Sequence, residues 1–215
     1  MAEYKLEALT PEDLEKLEEK DVLLFGTYPK EKGGEALPIE WEVLRKEDEK
    51  LFLLCVYGLD VMKFDTRPWE PFSKERITWA GSSLRAWLNG EFWRTAFKEE
   101  ERRLIAPTAI TTDGDADRVS LLGWSDAKEY VRGWRKSAEL TPLANDKIMK
   151  EHESERHFGR RWDRGWWLRT TKDKDKVYCV VYDWALESIK DNFYLDRQAV
   201  RPALWLDPHG DYPTE

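Results

Sequence analysis

The sequence predicts one α+β domain, on three observations. Apolar residues alternate at 39–45, and apolar runs at 177–186 and 199–207 look like strands closing the domain. Between them, residues 82–105 change to spacings of three and four, as helices packed on one face do. No Pro/Ser linker, internal repeat or heptad divides the 215 residues, and 12 Trp, 8 Tyr and 8 Phe supply a core that outweighs the disorder suggested by 36% charged residues.

The elements follow in order. Thr10 and Pro11 read as N-cap and first position of a short polar helix, so residues 1–20 form an N-terminal helical extension ahead of a domain at 21–207 and a tail at 208–215. DVLLFGTY (21–28), IEWEVLR (39–45) and LFLLCVYGLD (51–60) read as a three-stranded meander. Ser82 and Ser83 cap a helix carrying Leu84, Trp87 and Leu88. Asn89 and Gly90 stop it, and a second begins near Glu91 with Phe92, Trp93, Ala96 and Phe97. Glu99 to Ile105 continues helically until Pro107, and a third helix opens at Ser125 with Ala127, Tyr130, Val131 and Trp134 on one face. The stretch 141–164 reads as polar and irregular. GWWLRT (165–170), VYCVVYDWAL (177–186), a polar turn and AVRPALWLD (199–207) read as strands closing the domain, with Lys172–Lys176 a solvated hairpin turn.

Charge and composition bound the function. A net charge of −8 opposes nucleic-acid or anionic-membrane binding driven by bulk charge. No apolar run is long enough to span a bilayer, and the acidic first twenty residues do not read as a secretory signal, so a cytoplasmic location is the default expectation, with surface display only through a partner. Cys55 and Cys179 sit among apolar neighbours and read as buried reduced thiols. High Glu, Lys and Arg usage is a trait of thermophile proteins.

Catalytic and metal signatures fail on spacing. Asp113, Asp115 and Asp117 alternate as the start of a calcium loop does, but Arg118 stands where its glycine is needed and Trp124 where its bidentate Glu belongs. His152 and His157 are five apart, not four, and His209 lies in the tail, so no zinc pair forms on a helix. No G-x-S-x-G or phosphate loop occurs. The expectation is a non-catalytic chain with no metal or cofactor. Arg156, Arg160, Arg161, Arg164 and Arg169 interleave with Phe158, Trp162, Trp166 and Trp167, a pattern that superficially suits single-stranded nucleic acid. Asp163 and the upstream acids dilute it, and Trp packed beneath Arg stems explains it without a ligand.

The segment 160–198 is the candidate binding surface. Trp162, Tyr178, Tyr182, Trp184, Asn192, Tyr194 and Arg197 are the side-chain types that rigid binding surfaces use, combining large contact area with polar handles and little rotamer entropy. An ordinary sheet with aromatic cross-strand pairs is the competing reading.

Four segments carry a resemblance: FGTYP with PIEWEVL (25–29, 38–44), SSLRAWLNGEFWRTAFKEEERRLI (82–105), DRVSLLGWSDAKEY (117–130), and GWWLRT with VRPALWL (165–170, 200–206). Together they resemble an uncharacterised bacterial domain of C-type-lectin-like fold, related to formylglycine-generating enzyme and to the variable proteins of diversity-generating retroelements. That resemblance implies antiparallel sheets with two to four helices and much irregular loop. It also implies a scaffold of Trp87, Leu88, Asn89, Gly90, Trp166, Trp167, Leu168, Arg169, Arg201 and Pro202, and ligand contacts in the segment between WWLR and VRPAL, varied on a fixed frame, that bind a protein or glycan. The sequence departs from the pattern at Ala199, where glycine is usual, and lacks the calcium-dependent sugar motifs, Glu70-Pro71-Phe72 matching only two letters of one. The paired cysteines of formylglycine-generating enzyme have no counterpart, since Cys179 stands alone there. An enzyme of that type and an intracellular structural domain are the alternative expectations.

Overall fold

Consecutive apolar residues such as Leu51–Cys55 and Trp166–Leu168 have to bury both faces of a strand, and the fold does this with two mixed sheets. A computed structural model of the protein describes residues 2–70, 72, 74–108, 116–132, 138–155, 165–181 and 189–214, the side chains of 151–155 excepted. The chain forms strands β1 (Glu3–Lys5), β2 (Val22–Pro29), β3 (Ala36–Glu47), β4 (Lys50–Cys55), β5 (Asp60–Lys63), β6 (Ile105–Ala106), β7 (Gly165–Thr171), β8 (Lys176–Val181), β9 (Ile189–Phe193), β10 (Arg197–Val200) and β11 (Ala203–Leu206). One sheet runs β1-β2-β3-β4-β11-β6 and the other β5-β10-β7-β8-β9. Leu51, Leu53, Cys55, Trp167, Val177 and Cys179 point into one apolar layer, while Phe52, Leu54, Trp166, Leu168 and Val180 point into another. The unbroken apolar runs are thus alternating strands with a core on each side.

The meander at β2, β3 and β4 is antiparallel throughout, as the period of two predicts. Its turn of direction near FGTYP depends on Gly26, which sits at φ +62 in a register shift, where a Cβ would lie 2.8 Å from the Phe97 ring. Phe25 stacks on Trp41, and Phe97 packs tilted against both.

The helices are α1 (Pro11–Leu14), α2 (Ser83–Trp87), α3 (Trp93–Ala96), α4 (Glu99–Leu104), α5 (Trp124–Tyr130) and α6 (Pro142–Glu155). Thr10 closes a capping box with Asp13, and the Ser82 hydroxyl accepts from the Arg85 amide. Several expectations are corrected. Asn89-Gly90 does not end a helix: α2 passes through a wide π-type turn at Leu88–Phe92 straight into α3. The Asn89 side chain holds that turn against the next segment, donating to the Val119 carbonyl (2.8 Å) and accepting from the Arg118 amide (2.7 Å). The supposedly irregular stretch after Thr141 begins with α6, whose start repeats the Thr-Pro signal of α1; the Thr141 hydroxyl accepts from the Ala144 amide and donates to the Leu59 carbonyl. The polar turn before AVRPALWLD contains β9. That last segment is two strands, β10 in one sheet and β11 in the other, with Arg201-Pro202 as the crossing between them.

The two ends of the chain are built into this frame. β1 pairs parallel to β2, and Leu6, Leu14 and Leu17 join the core. The tail folds back so that the Tyr212 amide donates to the Arg103 carbonyl and the Arg118 guanidinium to the Pro213 carbonyl. Among the described residues no helix is long and apolar enough to cross a membrane.

Candidate functional site

Strand pairing places the expected contact residues, and it separates them. Tyr178 on β8 lies opposite Asp191 on β9, whereas Asn192 lies opposite Val177, so Tyr178 and Asn192 emerge on opposite faces of the sheet. Tyr178 is half-buried, its ring 6.4 Å from that of Trp124 on α5. Arg197 is exposed at the start of β10. Tyr194 is only 3% exposed: its hydroxyl donates to the Arg67 carbonyl at 3.1 Å and its amide to the Asp175 carbonyl. Its side chain therefore belongs to the core, where burial pushes the phenol pKa up. Trp162, Tyr182 and Trp184 lie outside the described residues, as does Trp134.

The scaffold residues behave as packing and tying groups. Leu88, Trp166, Trp167, Leu168 and Pro202 are buried, and Trp87 is half-buried against the core. A Cβ added at Gly90 would come no closer than 3.9 Å to a side chain, the Arg94 guanidinium. Arg169 donates to the Leu121 carbonyl and pairs with Asp126 at 2.9 Å. Burial pushes the Cys55 thiol up to about 12, far from a reactive thiolate at neutral pH, and Cys179 is buried and reduced as well. Asp117, the last acid of the rejected calcium pattern, is spent on Trp79 Nε1 and Arg85 Nε, each at 2.6 Å. Among the described residues no group of three His, Cys, Asp or Glu converges as metal ligands.

The cleft with the aromatic surface lies beside β9, where the loop 65–77 crosses the β7–β8 hairpin. It encloses about 270 Å³ between Arg67, Trp69, Glu75, Ile77, Lys174 and Tyr194. Its geometry is pre-set. The buried Asp65 carboxylate takes both Nε (3.1 Å) and Nη2 (3.0 Å) of Arg67, the first cause of that guanidinium's raised pKa, and Glu75 stands 3.6 Å away on the other side. The Ile77 amide donates to the Lys174 carbonyl, stitching loop to hairpin. Trp69 is 50% exposed and meets Phe193 edge-on, and Phe72 is 95% exposed. The sequence signal for an exposed Trp69 is its setting in RPWEPF, two prolines with no strand or helix period, which is loop composition.

A family model for a domain of unknown function, DUF6273, matches residues 48–208. The chain belongs to this family. No curated protein and no solved structure matches the chain. The DUF6273 region runs from the turn before β4 to just past β11, so it contains the whole five-stranded sheet, α2 to α6 and the cleft, while β1 to β3 precede it.

Proposed function

We propose that this DUF6273 protein is a non-catalytic ligand-binding module of C-type-lectin-like fold, related to retroelement variable proteins and formylglycine-generating enzyme, that binds a protein or glycan. The observation that carries the binding reading is Trp69, half-exposed over a cleft whose guanidinium, Arg67, is already held by the buried Asp65. An exposed indole beside pre-oriented polar groups offers contact area at little entropic cost, the combination that sugar rings and aromatic or basic side chains exploit. The relation to the wider fold rests on GWWLRT and VRPALWL, which form β7, β10 and β11. The segment 182–188 joins β8 to β9 at Val181 and Ile189, the end away from the hairpin that lines the cleft. Tyr182 and Trp184 therefore stand in the proposal as a second contact region.

Glycan arrays and a displayed-peptide library, each probed with the full chain, test the reading. A captured ligand whose affinity falls at least tenfold in Trp69→Ala, with an unchanged melting temperature, supports the cleft; a tenfold fall in Tyr182→Ala/Trp184→Ala instead moves the site to the second region. Absence of any binder, or a binder indifferent to both variants, overturns it. A reverse transcriptase with a near-copy of codons 165–205 beside the gene is the further mark that a diversified surface requires.

A further inference from the structure

A second cavity, of about 750 Å³, lies on another part of the molecule, between the α2–α3 turn, α4 and the tail, and its walls are cationic. Arg85, Arg94, Arg102 and Arg118 line it together with Asn89 and Trp93. Asp117 balances Arg85 alone. The other three guanidinium groups meet no carboxylate within ion-pair distance among the described residues. Arg118 has its guanidinium 5.7 Å from the centre of the Trp93 ring and 5.7 Å from that of Tyr212, and spends its donors on the neutral carbonyls of Ile105 and Pro213. Arg102 reaches only the Thr214 carbonyl, at 3.5 Å, and its buried Nε has no hydrogen-bond partner. Arg94 reaches no acceptor among the described residues.

Arg102 and Arg118 are part-buried with no carboxylate partner among the described residues, which is costly unless something negative joins them, and Arg94 adds a third positive charge beside them. The contrast lies in the groove of about 480 Å³ around Arg45 and Arg169, where each guanidinium has its own acid, Glu47 and Asp126. Burial also lowers the Arg118 pKa, the mark of a cation taken from water without an anion to compensate. Guanidinium forks suit tetrahedral oxyanions, each offering two parallel donors to two oxygens.

We propose that this cavity binds a phosphate or sulfate group carried by a small molecule, held by Arg94, Arg102 and Arg118, with Asn89 and Arg85 fixing the wall. The tail carbonyls on Arg102 and Arg118 are weak neutral acceptors that such an anion displaces or joins. This site is independent of the Trp69 cleft.

Thermal unfolding of the full chain in inorganic phosphate, in inorganic sulfate and in glycerol 3-phosphate, each against sodium chloride of equal ionic strength, tests the proposal. At tenfold excess over the dissociation constant, the better oxyanion raises the melting temperature by about 3 to 5 °C. Whether the phosphates or sulfate give the larger rise assigns the group. The rise disappears in Arg94→Gln/Arg102→Gln, while the variant's melting temperature in chloride stays within about 2 °C of the parent or increases, since like charges are removed. An equal response to chloride, no response to any of the three anions, or a response that survives in the double variant overturns the assignment. If that variant proves unstable, Arg94→Gln alone, altering an exposed side chain, must still weaken the anion response at least threefold.

Discussion

The guanidinium of Arg201 stands 5.1 Å from the centre of the Trp166 ring while its Nε donates 2.7 Å to the carbonyl of Cys55. Trp166 belongs to β7 of one sheet and Cys55 to β4 of the other, so one side chain, 1% exposed, ties the sheets together at the crossing from β10 to β11. Pro202 follows it, and the Pro202 carbonyl accepts from the Cys55 amide at 2.8 Å. A planar group that stacks and donates at once is needed here, and lysine supplies only a point charge.

Arg201→Lys is therefore expected to lower unfolding stability by about 2 kcal/mol, and Arg201→Ala by about 3 to 5 kcal/mol, because the latter leaves both a cavity and an unpaired carbonyl. Urea unfolding followed by tryptophan fluorescence measures both. Equal midpoints for Lys and Arg would show that charge alone, not the fork over Trp166, matters at this position.

Tyr194 separates core from binding surface by experiment. Its ring is buried and its hydroxyl serves Arg67, so Tyr194→Phe should cost about 1 kcal/mol and Tyr194→Ala about 3 kcal/mol or more. Trp69→Ala, at a half-exposed position, should change stability by well under about 1 kcal/mol. Thermal melts of the three variants decide it; a Tyr194→Ala protein as stable as the parent would return Tyr194 to the list of exposed contacts.

How much of this was legible in the sequence varies with the kind of signal. The meander and the cap at Ser82 follow from local rules, period two and a hydroxyl before a helix, and the structure has both. The missed helix α6 carries the same Thr-Pro start as α1, but its polar composition leaves only a faint apolar face; what anchors it is tertiary, Lys147 on the buried Asp60 at 2.5 Å and the Thr141 hydroxyl on Leu59. Asn89-Gly90 reads locally as a stop, and long-range bonds to Arg118 and Val119 override it. The separation of Tyr178 from Asn192 depends on strand register, which residue types do not encode, and so does the burial of Tyr194. The arginine cavity draws on 85, 94, 102 and 118, no two adjacent in sequence, and all four sit in segments that carry the resemblance without being among its expected ligand contacts.

The tail makes a pH-dependent contact that can be followed at one residue. His209 Nε2 lies 2.8 Å from Glu15 Oε1, joining the C-terminal tail to the residue after α1. The bond to Glu15 is the first cause of a His209 pKa raised above its usual 6.5. A raised folded-state value means that the contact contributes fully below the unfolded pKa of about 6.5 and is lost as pH rises through the higher folded one. The pair is surface-exposed, so the effect on global stability is small and the local readout is the useful one. In a proton NMR titration the His209 ring should show a midpoint above that usual value, and Glu15→Gln should return it toward 6.5. Tail protection from carboxypeptidase should correspondingly be greater near pH 5.5 than near pH 8.5 in the parent, and equal at both in Glu15→Gln. A His209 midpoint unmoved by Glu15→Gln would mean that other neighbours, Glu49 and Asp207, hold the proton instead.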